Sequence, residues 1–392
     1  MTHYLPVDEP LELMVFVKTG AGIFFLKFSA QRRIADYMVE LSPEQRNLES
    51  VFPLENGRVS EIVALKIRED LERVIPGFPW QEFINSAQDR WQEYIPNQAL
   101  PSERPSAEEL ASFRWSDLVP ESLMDREKTV IAIDRAWNVW DSFLKKHHKL
   151  GLYIAVSGTM GTGKSVFSRA LEGGRPFEST HFGEAWEDNP ELQMFYRLLA
   201  IWASSACRQS QRFPKIAAQL AEVQGRAQSW FAARKFLQGL KAMCSLIWEN
   251  AIQDNPLGQD GVYCETQVEL GLSNESNIAS YRQDNRLRQR FLPPPIRSPI
   301  LVFLWAPFET VRKRILEVRG RDYEAQIPKG YLLALHRNTI QWMLAMVQTG
   351  VPTIVLDAGM SDFRPGMIDR SPVVQKTWDE IQRIRRGIRN QV

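Results

Sequence analysis

No stretch of this 392-residue chain approaches the ~20 consecutive apolar residues that a membrane-spanning helix needs. The N-terminus, MTHYLPVDEPLELM, has no basic segment followed by an apolar core, so no secretory leader is expected. Cysteine is scarce: Cys207, Cys244 and Cys264 show no CxxC spacing, which excludes a disulfide framework and gives no zinc-ligand pattern. Neither sign of charge is in excess, with 48 Lys+Arg against 47 Asp+Glu and a net charge of +1. Long-range attraction to nucleic acid or to an anionic membrane is therefore not indicated. One basic cluster, Arg383, Arg385, Arg386 and Arg389, reads as the solvated end of a helix. Internal repeats and low-complexity tracts are also absent. These absences describe a cytoplasmic protein whose thiols pack as small apolar groups.

What is present is ordinary globular composition, 44% hydrophobic and 24% charged, in a chain long enough for two domains. Residues 13–28, LMVFVKTGAGIFFLKF, place two β-rich runs around Gly20-Ala21-Gly22 and predict a hairpin. No helix follows that turn with a phosphate-facing Lys-Ser, so it is not read as a phosphate loop. Residues 58–95 read as helices broken at Pro76-Gly77-Phe78-Pro79. The proline-rich stretch from Pro96 to Pro105 reads as a linker, and Ser106 to Glu109 as a capping box that restarts helix. Between 128 and 149, Val130, Ile133, Trp137, Trp140 and Leu144 step by three and four, marking a helix packed on one side. These signals divide the chain into an N-terminal α+β extension, 1–125, and a second domain, 126–392.

The second domain alternates apolar runs with helical segments. Strands are expected at 152–157, 179–183, 261–265 (GVYCE), 299–305 and 352–357. Such alternation implies an α/β fold with a parallel sheet covered by helices on both faces, its ligand at the carboxyl ends of the strands. Gly158-Thr159-Met160-Gly161-Thr162-Gly163-Lys164-Ser165 matches G-x-x-x-x-G-K-[ST] without a mismatch, after a strand and before an amphipathic helix. Gly158, Gly161 and Gly163 let backbone N–H groups face phosphates. Lys164 would reach the β/γ-phosphates, and Ser165 would ligate Mg²⁺.

Four further stretches narrow the class. They are Glu184-Ala185-Trp186-Glu187-Asp188-Asn189-Pro190 running on to Phe195-Tyr196, the helical Ala227-Gln228-Ser229-Trp230-Phe231, the Arg314…Arg319-Gly320-Arg321…Glu324 run, and Tyr331-Leu332…Leu335-His336. In this order they resemble the deoxynucleoside kinases over roughly 230 residues. The resemblance implies a P-loop five-stranded parallel sheet of order 2-3-1-4-5, with ATP and Mg²⁺ as cofactors and a small-molecule nucleoside as acceptor. It implies that Glu184 is the base for the 5′-hydroxyl, and that Lys164, Arg314, Arg319 and Arg321 neutralise the transferring phosphoryl group. Tyr196 and Glu324 would hold the 3′-hydroxyl, and Gln228 would read the base. Ser165 and Glu265 would hold the metal, and the family's tendency to pair extends to a homodimer here. Asp357, ending the last expected strand, also recurs in the family. After the third expected strand the family carries an acid followed by arginine, whereas this chain has Glu265-Thr266; Arg234 and Arg282 are candidates to replace the missing cation. That departure keeps two alternatives open: a weakly active nucleotide-binding sensor or structural subunit, and a nucleoside monophosphate kinase. Residues 1–125 match no family on sight, and an unknown partner for them is an open expectation.

Overall fold

The run Tyr-Ile-Ala-Val-Ser-Gly ahead of the phosphate-loop motif forms the central strand, fully buried along its length. The computed structural model describes residues 13–19, 22–28, 53–54, 57–58, 61–95, 103–112, 114–115, 119–121, 123–146, 150–173, 178–184, 186–204, 207, 209–273, 275–297, 299–318, 324, 326–359 and 372–389. Its strands are β1 (Leu13–Thr19), β2 (Gly22–Phe28), β3 (Pro53–Leu54), β4 (Gly57–Arg58), β5 (Tyr153–Gly158), β6 (Ser179–Phe182), β7 (Asn250–Asp254), β8 (Ile300–Trp305) and β9 (Thr353–Asp357). The first helices are α1 (Glu61–Val74), α2 (Trp80–Asn85), α3 (Ala87–Trp91), α4 (Ala107–Ser112), α5 (Arg126–Lys146), α6 (Lys164–Gly173) and α7 (Leu192–Ala203). They are followed by α8 (Phe213–Ser245), α9 (Asp260–Glu269), α10 (Glu275–Phe291), α11 (Pro294–Arg297), α12 (Phe308–Lys313), α13 (Lys329–Gln348) and α14 (Pro372–Arg389).

Five strands, β6-β7-β5-β8-β9 in spatial order, are all parallel, which is 2-3-1-4-5 along the domain. This is the α/β sheet expected from the sequence. One expected strand is wrong. Residues 261–265 lie inside α9, and the third strand is β7, Asn-Ala-Ile-Gln-Asp. The β-rich look of Gly-Val-Tyr-Cys-Glu is overridden by packing: the helix is buried on nearly all sides, with Val262 and Cys264 both in the core. β7 hides its character because three of its five side chains are polar. Asn250 accepts the Leu152 amide at 2.8 Å and Gln253 accepts the Tyr153 hydroxyl at 2.5 Å, so both are buried without loss.

The hairpin expected at 13–28 forms, with Thr19 opposite Gly22, and it does more than close on itself. β1 pairs antiparallel with β9 through Leu13↔Leu356 to Phe16↔Thr353, so the parallel sheet continues into the N-terminal segment. The helices expected over 58–95 are α1 to α3, interrupted at Pro76 to Pro79. Ser106 Oγ accepts the Glu109 amide at 3.0 Å, the cap expected there. The linker expected from Pro96 falls largely on 96–102, outside the described residues. Trp137 of α5 is fully buried and donates to the Phe291 carbonyl at 2.9 Å, as core packing requires.

Residues 61–95 share one apolar core with the sheet: Leu71, Trp91 and Tyr94 are fully buried in the cluster that holds Ile154 and Trp342. Burying each such side chain contributes about 1.5–3 kcal/mol. Two glycines make room for Tyr94. Gly258, at φ 96°, turns beneath its carbonyl, and Gly261 on α9 lies directly under its ring. A methyl at 261 would overlap ring atoms, so Gly261→Ala is expected to cost about 1–3 kcal/mol of folding free energy, from overpacking. Urea denaturation of the two proteins measures this. An unchanged midpoint would mean that Tyr94 yields freely.

Candidate functional site

β5 delivers the chain into the loop Gly158 to Ser165, and α6 begins at Lys164. Gly158, Gly161 and Gly163 all take positive φ, at 142°, 85° and 91°, which side-chain-bearing residues rarely adopt. The loop is braced from within: the Thr159 carbonyl accepts the Thr162 hydroxyl at 2.8 Å and the Lys164 ammonium at 3.0 Å. It is also braced from β7's exit, where Gln259 accepts Ser157 Oγ and donates to the Gly158 carbonyl. The result is a rigid run of backbone amides at a helix N-terminus, which suits a polyanion.

The opposite wall is measured out by one long helix. On α8, residues 224, 228, 231, 235 and 238 share a face by their three- and four-residue spacing. Gln238 Nε2 donates to the Gly183 carbonyl at 2.7 Å and fixes the backbone next to Glu184. Asn189 Nδ2 donates to the Ala227 carbonyl at 3.1 Å, which ties the Asn-Pro turn beside Gln228. Between these anchors Lys235, only 3% exposed, donates to Asp260 Oδ1 at 2.5 Å and lies 3.7 Å from Glu184 Oε1. Burial opposes its charge, but Asp260 and Glu184 outweigh burial and hold its pKa above the ordinary lysine value. Asp260 is raised, chiefly by burial and against the pull of Lys235.

A cavity of about 590 Å³ joins the two walls. Lys164, Ser165, Glu184, Tyr196, Gln228, Arg314 and Glu324, all singled out from the sequence, line it, and so does Asp260. Arg319 and Arg321 lie outside the described residues. Arg314 starts a π-turn, Arg314–Val318, that extends α12 and faces the same cavity. Glu265 is the exception. Because 261–265 is helical, its carboxylate accepts from Tyr94 and Arg282, both at 2.5 Å, and is not among the cavity's lining residues. The acid at the true strand end is Asp254, followed by Asn255 at φ 58°. The family's arginine is therefore absent at 255, where the strand ends, as well as at Thr266. Arg282 is committed to Glu265, and Arg234 faces Asp188 at 3.9 Å, so neither expected substitute meets Glu184.

Asp254 is fully buried and, like Glu265, is not among the cavity's lining residues; what sets it apart is that neither carboxylate oxygen accepts a hydrogen bond of normal geometry. Burial and the Glu184 charge push its pKa up to about 6, against the pull of Lys164, Ser165 and Lys235. Asp254 and the Ser165 hydroxyl are hard oxygen donors beside a phosphate loop, the set that suits Mg²⁺, which needs only one or two protein ligands besides phosphate and water. Among the described residues no group of three or more His, Cys, Asp or Glu could hold a metal by itself. Lys235, Asp254 and Asp260 were missed from the sequence. The one available signal was Lys235, beside Arg234 in the mostly apolar Trp-Phe-Ala-Ala-Arg-Lys-Phe-Leu and two helical turns after Gln228.

The family model for deoxynucleoside kinases matches residues 154–381. Among solved structures, a deoxyadenosine kinase from M. mycoides with bound dCTP is 20% identical, covering 59% of this chain and 99% of that chain at a TM-score of 0.40. The same enzyme with bound dATP is 22% identical, covering 59% and 100% at a TM-score of 0.41. No curated protein sequence matches the chain. Among the described residues no helix is long and apolar enough to cross a membrane.

Proposed function

The chain belongs to the deoxynucleoside kinase family, and from that premise we propose that it transfers the γ-phosphoryl group of ATP to the 5′-hydroxyl of a deoxynucleoside. The observation that carries this reading is the single cavity lined both by Lys164 and Ser165 of the phosphate loop and by Glu184, Tyr196, Gln228 and Glu324. Glu184 takes the hydroxyl proton as the alcohol attacks. Lys235 keeps that carboxylate oriented, and its charge fills the role of the arginine that the strand end lacks. Lys164, Arg314 and the lid arginines Arg319 and Arg321 meet the charge that develops on the phosphoryl oxygens. Gln228 offers a donor and an acceptor to a base edge in the cavity that Asp260 also lines, while Tyr196 and Glu324 hold the 3′-hydroxyl. Mg²⁺, held by Ser165 and Asp254, would supply charge neutralisation at the phosphates.

The test is turnover. Purified protein with Mg²⁺-ATP is offered each deoxynucleoside, and separately each monophosphate, with products resolved by chromatography. Monophosphate formation from one or two deoxynucleosides is expected. Diphosphate formed only from monophosphates, or no product on either panel, would sink the reading.

Asp254 adds a pH signature. Its native pKa of about 6 lies above the usual carboxylate value, so the native state binds more protons than the unfolded state across pH ~4–6. Folding stability contributed by this group therefore falls as pH rises through that window. Metal affinity runs the other way, because only the ionised form ligates. Titration of Mg²⁺-dependent ATP binding is expected to show affinity lost by about tenfold per unit below pH ~6. In Asp254→Asn that dependence should be flat; a variant that kept the native pH profile would remove Asp254 from the metal site.

A further inference from the structure

The N-terminal segment reaches the phosphate loop through one carboxylate. Asp70, on α1, is 3% exposed and sits behind the loop rather than in the cavity. Its Oδ2 accepts the Phe308 amide at 2.9 Å, the first residue of α12, which carries the chain to Arg314. The same oxygen is 3.3 Å from His336 Nε2, and His336 Nδ1 is 3.4 Å from Thr159 Oγ1 in the loop. All three side chains are buried. Burial raises the Asp70 pKa, but His336, the Phe308 amide and Arg73, which pairs with its other oxygen, outweigh it and hold the group below its ordinary value, as an anion. Nε2 of His336 thus faces the Asp70 carboxylate and Nδ1 faces the Thr159 hydroxyl, so the ring links the two.

The loop and α12 also touch directly. A Cβ at Gly161 would meet Ile315 and the Val311 carbonyl, so the loop leans on the helix whose first amide Asp70 caps. One helical turn before Asp70, Lys66 lies 3.4 Å from Asp357 at the end of β9. Helix α1 thus touches three chain segments that border the donor side of the sheet: the start of α12, the phosphate loop by way of His336, and the exit of β9.

We propose that Asp70 is a positioning residue for the donor half of the site, fixing Thr159 of the phosphate loop through His336 and the path to Arg314 through the Phe308 amide. The N-terminal segment is then part of the donor site rather than a separate module. The inference rests on the kinase reading only in taking the phosphate loop as the donor site.

Calorimetric titration with ATP and, separately, with the deoxynucleoside that the native chain binds tests it without turnover. In Asp70→Ala the dissociation constant for ATP is expected to rise about tenfold, the worth of a hydrogen bond to a charged group. The nucleoside constant should stay within about twofold, since no acceptor-side group is touched. Asp70→Asn keeps an acceptor for Phe308 and His336 and should recover most of the loss. Thr159→Val breaks the far end of the chain without touching α1, so it reads the same link if Asp70→Ala fails to fold. The double variant should bind ATP no more weakly than the worse single one. Unchanged ATP affinity in either folded variant, equal weakening of donor and acceptor, or losses that multiply would overturn the proposal. A native chain that binds ATP but phosphorylates nothing would sink the kinase reading while these titrations still decide this one. A native chain that binds no ATP would overturn both.

Discussion

Glu184→Gln is expected to lower kcat by about 10²–10⁴, the range for removing a positioned general base. The substitution keeps the shape and one acceptor oxygen but cannot take the hydroxyl proton. Deoxynucleoside KM should change little, because the lost interaction belongs to the transition state rather than to the bound substrate. Lys235 keeps its 2.5 Å partner, Asp260, so no buried cation is stranded and the fold should persist. ATP binding should also persist, since the loop is braced by Thr159, Thr162 and Gln259, none of which contacts Glu184. Steady-state kinetics with the best deoxynucleoside, beside an ATP titration, separates these outcomes. Turnover within about fivefold of native would remove Glu184 from the base role. Loss of ATP binding together with turnover would show that the carboxylate supports the loop instead.

The phosphate loop was legible because its chemistry is local: three glycines at fixed spacing, a lysine and a serine between a strand and a helix need no distant partner. Three of the five parallel strands, β5, β8 and β9, were legible because they are short apolar runs, buried on both faces; β6, Ser-Thr-His-Phe, was also expected, although it is half-buried and mostly polar. β7 was not, because Asn250, Gln253 and Asp254 make it look like a loop until their partners in β5 and at the site are known. That error carried Glu265 into the metal site and left Asp254 unremarked, since both assignments depended on where a strand ended.

The cluster of Lys235, Asp260 and Glu184 was illegible for a different reason. These residues come from the middle of α8, the start of α9 and the loop after β6, and only the packed fold brings them together. Asp70 and His336, 266 positions apart, are a more extreme case. The pairing of β1 with β9 belongs with them: the hairpin is a local signal, while its docking edge is set by the whole sheet. Residues 61–95 of the expected 58–95 are helical apart from the Pro76–Pro79 break, while Arg58 pairs in β4, yet nothing in their pattern said that Trp91 and Tyr94 enter the same core as the central strand.

Lys235→Met carries the second large effect and separates catalysis from folding. Methionine has a similar length and no charge, so the variant leaves Asp260 and Glu184 facing each other without a cation. Stranding a buried charge in this way costs about 3–5 kcal/mol, and a lower melting temperature is expected. Pairing it with Asp260→Asn removes one of the two stranded carboxylates and should return much of that stability. If Lys235 only filled space between two acids, the double variant would recover activity along with its fold. If its charge orients Glu184 and stands in for the arginine absent at Asn255, the double variant should fold and still turn over about 10²–10³ more slowly than native. Lys235→Arg, which keeps the charge, should sit closest to native in the same assay. The ammonium's position explains why one group can serve both ends. It is bonded to Asp260, which lines the same cavity as Gln228, and lies 3.7 Å from the carboxylate that would take the proton. A base seated against Gln228 and Asp260 would therefore hold the Lys235 ammonium where Glu184 needs it, which couples acceptor choice to the rate of transfer.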